Sequence, residues 1–179
     1  FFRCVHQYLY DKDCWNTNIY VKARFVSEFG WQSWPSYSTM TKYLSSDQWS
    51  YNQNKQHHPN GQAQIVTEIQ NHYNLPNGWN DTKGYMFMLF ASQYSQAYCY
   101  KVEVEYFRSL RQTCSSNTPG CNMGSMYWQT NDIWPGASWS GVDYTNTYKL
   151  VAQYAKNFYR KVIITGYDNG SNYTFWAIN

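Results

Sequence analysis

The chain has 179 residues and a formal net charge of +3, with 21% aromatic and only 14% charged residues. Low charge with abundant aromatic residues argues against an intrinsically disordered chain, and the scattered basic residues argue against nucleic acid as a partner. No stretch of about 18 apolar residues occurs, so no membrane span is predicted. Aromatic residues interleaved with Asn, Gln and Ser suit either a surface that stacks on sugar rings or an aromatic-rich core, and composition leaves both open.

The predicted elements begin with a strand and continue with helices. Residues 19–29 are rich in β-branched and aromatic residues, which predicts a strand with Glu28 near its C-terminal end. An aromatic loop over 31–40 follows, with a short helix predicted after Ser36. Apolar periodicity then predicts helices over 61–75 and 83–112, a strand over 123–128, and a further helix over 147–159.

The end of the chain has a different pattern. Residues 161–165 and 173–178 predict two strands joined by a Gly/Asn turn, which places a domain boundary near Arg160. Strand, long helix, strand and helix in this order are typical of a parallel α/β barrel, and a whole barrel needs about 250 residues. We therefore predict an α/β fold in which residues 1–160 are the C-terminal part of a TIM (β/α)8 barrel. Residues 161–179 are then the first strands of a following β-sandwich domain, and the chain is a fragment of a larger multidomain protein.

Three N-glycosylation acceptors occur together with five cysteines. The acceptors are Asn80, Asn169 and Asn172, each with Ser or Thr two positions later. This combination favours an oxidising, secretory route. The chain begins with Phe1 rather than Met, which we interpret as processing or as a fragment.

The cysteines predict disulfides rather than a metal site. Cys114 and Cys121 flank a turn-rich loop that a disulfide can close, and the layout of the chain suggests a second pair, Cys14 with Cys99. The cysteine spacings fit no zinc pattern, and the adjacent His57-His58 is typical of a surface loop. We therefore expect neither a metal nor a cofactor.

The densest site signal is the stretch Arg24-Phe-Val-Ser-Glu28-Phe-Gly-Trp31-Gln-Ser-Trp34-Pro-Ser36. It places Glu28 at the C-terminal end of a presumed barrel strand, the face where barrel enzymes keep their active sites. A carboxylate framed by Trp31 and Trp34 suits glycoside hydrolysis, because the charge stabilises an oxocarbenium-like transition state while aromatic rings stack on the sugar. From the residues alone, an ordinary glutamate at a strand end is the alternative.

This stretch is similar to the nucleophile strand of the β-mannosidases of glycoside hydrolase family 2. The stretch from Gly124 to Trp134 resembles the last barrel strand of that family, and the stretch from Trp139 to Lys149 resembles the segment before its next helix. The resemblance implies that Glu28 is the nucleophile of a retaining enzyme and that Trp128 forms the hydrophobic wall of the sugar subsite. Core packing is the alternative for Trp128.

Further substrate contacts are implied near these two residues. Val5-His6-Gln7-Tyr8 resembles the end of the preceding strand, so His6 is expected to line the subsite and donate to a sugar hydroxyl, with a purely structural histidine as the alternative. The chain departs from the family here, since Arg3-Cys4 stands where Gly-Asp is usual.

Trp31 and Trp34 are expected to line the site mouth, or else to pack in the core. Asn131 and Asp132 either organise the loop after Trp128 or touch substrate.

A retaining glycosidase also needs an acid/base carboxyl group about 5–5.5 Å from the nucleophile. In the family this group follows an Asn, and no Asn-Glu pair occurs in this chain. The other glutamates, Glu68, Glu103 and Glu105, fall on predicted helices. We therefore expect the acid/base in the remainder of the same polypeptide.

The resemblance implies a lysosomal or secreted exo-β-mannosidase that removes terminal β-linked mannose from oligosaccharides. Two alternatives stay open: a catalytically silent secreted relative that binds carbohydrate or has a structural role, and a family 2 enzyme of different sugar specificity, such as a β-glucosaminidase.

Overall fold

The structure is a computed structural model, and it describes residues 4–45, 47, 61–113, 120–168 and 170–179. The strands are β1 (Val5–Gln7), β2 (Val26–Phe29), β3 (Ser125–Tyr127), β4 (Ile163–Asp168) and β5 (Tyr173–Ile178). The α-helices are α1 (Tyr37–Tyr43), α2 (Gly61–Gln70), α3 (Thr82–Ser109) and α4 (Leu150–Phe158). Several residues singled out in the sequence lie outside the described ranges: Arg3, His57, His58, Cys114 and Asn169.

The strands β1, β2 and β3 form a parallel sheet with β2 in the middle. Helices α1, α2 and α3 connect β2 to β3, as parallel pairing requires a long crossover. This order agrees with the predicted α/β pattern. Strand β2 begins at Val26 rather than at the predicted residue 19, and Thr17–Ile19 form a 3-10 turn that Asn16 caps by accepting from the Asn18 N–H.

Short polar side chains set where the helices begin. The Ser36 hydroxyl accepts from the Thr39 N–H at the start of α1, and the Asp81 carboxylate accepts from the Gly84 N–H at the start of α3. Helix α2 ends at Gln70, before the predicted limit of residue 75. Pro76 disfavours helical backbone at the residue before it, which explains part of the difference.

Two hydrophobic cores lie along α3. One joins β2 and α4 to the second half of α3, and its members include Val26, Phe29, Tyr100, Val104, Phe107, Val151 and Phe158. The other joins α1 and α2 to the first half of α3, with Trp34, Met40, Ile65, Ile69, Tyr85 and Met88. A disulfide between Cys14 and Cys99, the pair that the layout suggested, lies in the first core and closes 85 residues of chain.

Strands β4 and β5 form an antiparallel hairpin, with Ile163 opposite Ile178, at the two predicted strand positions. The hairpin is attached to α3, because the Thr165 hydroxyl donates to Glu105 at 2.7 Å. In the 3-10 turn that follows α3, Arg111 donates to the Asn179 carbonyl at 3.0 Å. Among the described residues, none of the helices combines the length and apolar character that a membrane span needs.

Candidate active site

Glu28 lies on the central strand β2, where two side chains from β1 and the residues after it converge on its carboxylate. The Tyr8 hydroxyl donates to Glu28 Oε2 at 3.0 Å, and His6 Nδ1 lies 3.4 Å from the same oxygen. Strand pairing explains the contact with His6, which lies opposite Glu28 in the sheet. The Glu28 side chain is 28% exposed and the His6 side chain 61% exposed, so both are reachable by a ligand.

Tyr8 lies beside Glu28, although the sequence pattern did not predict it as a site residue. Burial raises the pKa of Tyr8 well above its ordinary value, and the hydrogen bond to Glu28 raises it further. The hydroxyl therefore stays protonated and donates to the carboxylate. The signal that identifies Tyr8 is simple, since alternate residues of an extended chain share a face and Tyr8 follows His6 by two positions.

Trp128 follows β3, and its side chain stays 43% exposed. Its backbone is held from both sides: its N–H donates to the Phe29 carbonyl at 2.7 Å, and its carbonyl accepts from the Tyr100 hydroxyl at 2.6 Å. A side chain at Gly30 would bring Cβ within 2.5 Å of that carbonyl oxygen, so glycine is required for this close approach. The backbone of Trp128 is thus fixed beside the strand that carries Glu28.

Trp31 and Trp34 lie in the core, not at the mouth of the site as expected. They are 2% and 0% exposed. The Trp31 indole N–H donates to Glu103 at 2.9 Å, and Trp34 packs edge-on against Tyr85 at 5.1 Å. Both rings face α3, so a substrate beside Glu28 does not reach them. The core-packing alternative describes their position.

The other glutamates are also remote from solvent. Glu68, Glu103 and Glu105 are buried on α2 and α3, with 5%, 1% and 7% exposure. Burial raises the pKa of Glu103 to about 8, although the hydrogen bond from Trp31 opposes the rise. These carboxyl groups therefore lie in the interior of the protein, on the helices where the sequence predicted them.

Two aspartates organise the loops beside the site. Asp132 is buried and accepts from the hydroxyls of Ser138 and Ser140, which favours loop organisation over substrate contact. Asp143 accepts from the Ser36 and Thr39 hydroxyls, both at 2.7 Å. Burial alone would raise the pKa of Asp143, but these donors outweigh it and lower the pKa below its ordinary value.

One group of possible metal ligands, Asp13, Cys14 and His72, lies together in the described part of the chain. Cys14 forms a disulfide with Cys99, and Asp13 contacts His72 Nε2 at 2.8 Å. Cysteine binds a metal as a thiolate, and a disulfide-bonded cysteine has none, so this group is not a metal site.

Comparison with known proteins finds similar sequences and a similar solved structure. Family profiles give no match. The chain is 39% identical over 169 residues to the β-mannosidase of Bos taurus, covering 92% of this chain and 19% of that protein. It is 36% identical over 176 residues to the β-mannosidase of Mus musculus, covering 96% and 20%.

A solved structure is also similar. The crystal structure of the β-D-mannosidase from Dictyoglomus thermophilum matches with a TM-score of 0.71 and 25% identity, covering 87% of this chain and 18% of that one. The chain therefore spans about a fifth of the length of the curated relatives it matches. The resemblance predicted from the sequence is confirmed: this chain is a relative of the β-mannosidases and corresponds to one segment of them.

Proposed function

We propose that the polypeptide carrying this chain is a retaining exo-β-mannosidase with Glu28 as its nucleophile. The observation that carries the proposal is the accessible Glu28 carboxylate, fixed on a central parallel strand by the Tyr8 hydroxyl. The similarity to proteins named β-mannosidase supports glycoside hydrolysis as the reaction.

The hydrogen bond from Tyr8 suggests how the carboxylate works. Tyr8 engages Oε2, which leaves Oε1 of Glu28 to attack the anomeric carbon. The new C–O bond forms the glycosyl-enzyme while the bond to the leaving oxygen breaks, and a second carboxyl group supplies the proton to that oxygen. Water, deprotonated by the same group, then releases mannose and restores the Glu28 carboxylate.

We propose that this acid/base lies elsewhere in a longer polypeptide. The remaining glutamates of the chain are buried on α2 and α3, and the relatives are about five times as long as the aligned segment. The partners in this proposal are the rest of the same polypeptide and an oligosaccharide substrate.

The same reasoning supports the domain assignment as a proposal. The parallel strands β1, β2 and β3, with a long helical crossover between β2 and β3 and helix α4 after β3, suit residues 1–160 as the C-terminal part of a (β/α)8 barrel. The antiparallel hairpin β4–β5 suits residues 161–179 as the start of a β-sandwich domain.

His6 and Trp128 are proposed as the substrate contacts of this segment. Both side chains are exposed and flank the strand of Glu28 on its two sides. An imidazole provides a donor for a sugar hydroxyl, and an indole face stacks on the apolar C–H face of a pyranose.

We propose a secretory route, with a lysosomal or extracellular destination. The buried Cys14–Cys99 disulfide suits an oxidising compartment. Two of the predicted glycan acceptors, Asn80 and Asn172, are exposed, as attachment of a glycan requires.

The test is mass spectrometry of the full-length protein after treatment with a 2-fluoro-mannosyl inactivator, followed by peptide mapping. We expect one fluoro-sugar adduct on Glu28, because the fluorine slows hydrolysis of the glycosyl-enzyme. Glu28→Gln should lose both the adduct and turnover while keeping the fold. The matched control is Asp11→Asn, which alters an exposed carboxylate.

An adduct on another residue would refute the assignment of Glu28. No adduct and no turnover on a folded protein would favour the silent carbohydrate-binding relative. Turnover of an aryl β-glucosaminide in preference to the mannoside would keep the retaining mechanism and change the sugar.

A further inference from the structure

Lys149 is fully buried immediately before α4, with 0% of the residue exposed. Its Nζ lies 3.3 Å from each of three oxygens: the carbonyls of Ser33 and Ser138 and the hydroxyl of Ser140. An ammonium group has three N–H donors, so each donor has an acceptor. A buried ammonium is costly without such compensation, which indicates that the site is built around the charge.

The three acceptors belong to the two loops that leave the candidate site. Ser33 lies in the loop that follows Glu28, while Ser138 and Ser140 lie in the loop that follows Trp128. Ser33 and Ser138 exchange backbone hydrogen bonds at 2.9 and 3.0 Å, which forms an antiparallel bridge between the loops. Lys149 contacts both carbonyl oxygens of this bridge, so it holds the two loops at one point.

The surroundings supply the negative charge that the ammonium needs. Ser140 donates to Asp132 at 2.8 Å, which links Lys149 to a buried carboxylate through one hydroxyl. Burial lowers the pKa of Lys149 to about 8, while Asp132 and Asp143 oppose that change. The nearby contacts from α3 are neutral amides, since Gln96 accepts from the Ser33 hydroxyl and Gln93 from the Leu150 N–H.

We infer that Lys149 is a positioning residue that keeps the loop after Glu28 in register with the loop after Trp128. The part of this inference that concerns catalysis rests on the proposed function. Without the ammonium, the bridge loses a shared donor and the Ser140–Asp132 pair loses its counter-charge. The loops then shift relative to each other, which changes the position of the sugar wall at Trp128 against the nucleophile.

The test compares Lys149→Met with Lys156→Met in the full-length protein. Methionine keeps a similar length without the donors, and Lys156 is an exposed lysine on α4, the helix that Lys149 precedes. We expect faster hydrogen exchange of the backbone over 31–36 and 137–141 in Lys149→Met alone. Because a misplacement of about 1 Å can cost roughly 100-fold, we expect kcat per titrated active site to fall about 10- to 100-fold with a smaller change in KM.

A purely structural role gives a different result. Lys149→Met would then unfold at lower temperature, yet each titrated active site would keep the wild-type kcat and KM and both loops would exchange as in the wild type. That result would overturn the inference.

If Lys149→Met does not fold, Ser140→Ala provides the same test. It removes one acceptor of Lys149 and the link to Asp132, so we expect a weaker form of the same exchange and kinetic changes. Unchanged exchange and kinetics in this variant would also refute the inference. Hydrogen exchange needs no activity, so an inactive wild-type protein would refute the proposed function while exchange still decides the role of Lys149.

Discussion

The Tyr8 hydroxyl donates to the Glu28 carboxylate at 3.0 Å and so helps to orient it. A hydrogen bond to a charged group contributes about 1.5–3 kcal/mol, and each 1.4 kcal/mol corresponds to about tenfold in rate. Tyr8→Phe should therefore lower kcat/KM by roughly 10- to 100-fold, with little change in the unfolding temperature. Steady-state kinetics with an aryl β-mannoside measures the effect.

The control for Tyr8→Phe is Tyr173→Phe, which removes a hydroxyl from a tyrosine that is 71% exposed. It should leave kcat/KM unchanged. Full activity in Tyr8→Phe would show that the carboxylate is oriented by other groups.

The buried carboxyl group of Glu103 makes the free energy of unfolding depend on pH. Its pKa rises from 4.5 to about 8 on burial, so the folded state binds a proton more tightly than the unfolded state. This contribution to stability is complete below about pH 4.5 and is lost as the pH rises through about 8. Glu103→Gln keeps the shape and removes the titration, so it should be more stable than the wild type at about pH 8 and similar at about pH 5.

Unfolding temperatures of Glu103→Gln, the wild type and Asp47→Asn across this pH range test the prediction. Asp47 is exposed, so its variant should follow the wild type. Glu68 is also buried with a raised pKa, and it leaves part of the pH dependence in place. Equal destabilisation of Glu103→Gln at both pH values would contradict the titration of this group.

At the scale of elements, local signals predicted most positions correctly. Apolar periodicity located α3 within a few residues, and β-branched runs located the hairpin. The sequence could not decide whether Trp31 and Trp34 are buried. An aromatic ring in a loop can face a ligand or the core, and the choice depends on the position of α3, which the sequence does not give. Lys149 was missed for the same reason, since its acceptors lie up to 116 residues away in sequence.

The disulfide joins two elements of this fold, the loop before β2 and helix α3. It closes 85 residues, for which the chain-entropy relation gives about 4–5 kcal/mol of stabilisation. The double variant Cys14→Ser/Cys99→Ala should therefore unfold at clearly lower denaturant concentration. Cys4→Ser is the control, because Cys4 is a free, exposed cysteine. An unchanged midpoint in the double variant would mean that the unfolded chain gains little freedom from the missing bond.

At the scale of the whole molecule, apolar surface is exposed on two sides. On α3, Phe87 and Phe90 are 53% and 61% exposed, and on the hairpin Ile164 and Phe175 are 78% and 73% exposed. The described sheet also ends at β1 and β3, whose outer edges lack a neighbouring strand within the described residues. Contiguous apolar surface and open strand edges both promote association.

We therefore predict that the 179-residue chain on its own self-associates, whereas a longer polypeptide that covers these surfaces stays monodisperse. Light scattering coupled to size-exclusion chromatography, with binding of a hydrophobic dye, measures both properties. Phe87→Ser/Phe90→Ser and Ile164→Thr/Phe175→Ser should each lower dye binding, because each pair removes apolar area from one side. A monomeric chain with no dye binding would contradict this prediction and would show that the apolar side chains on α3 and on the hairpin are shielded in solution.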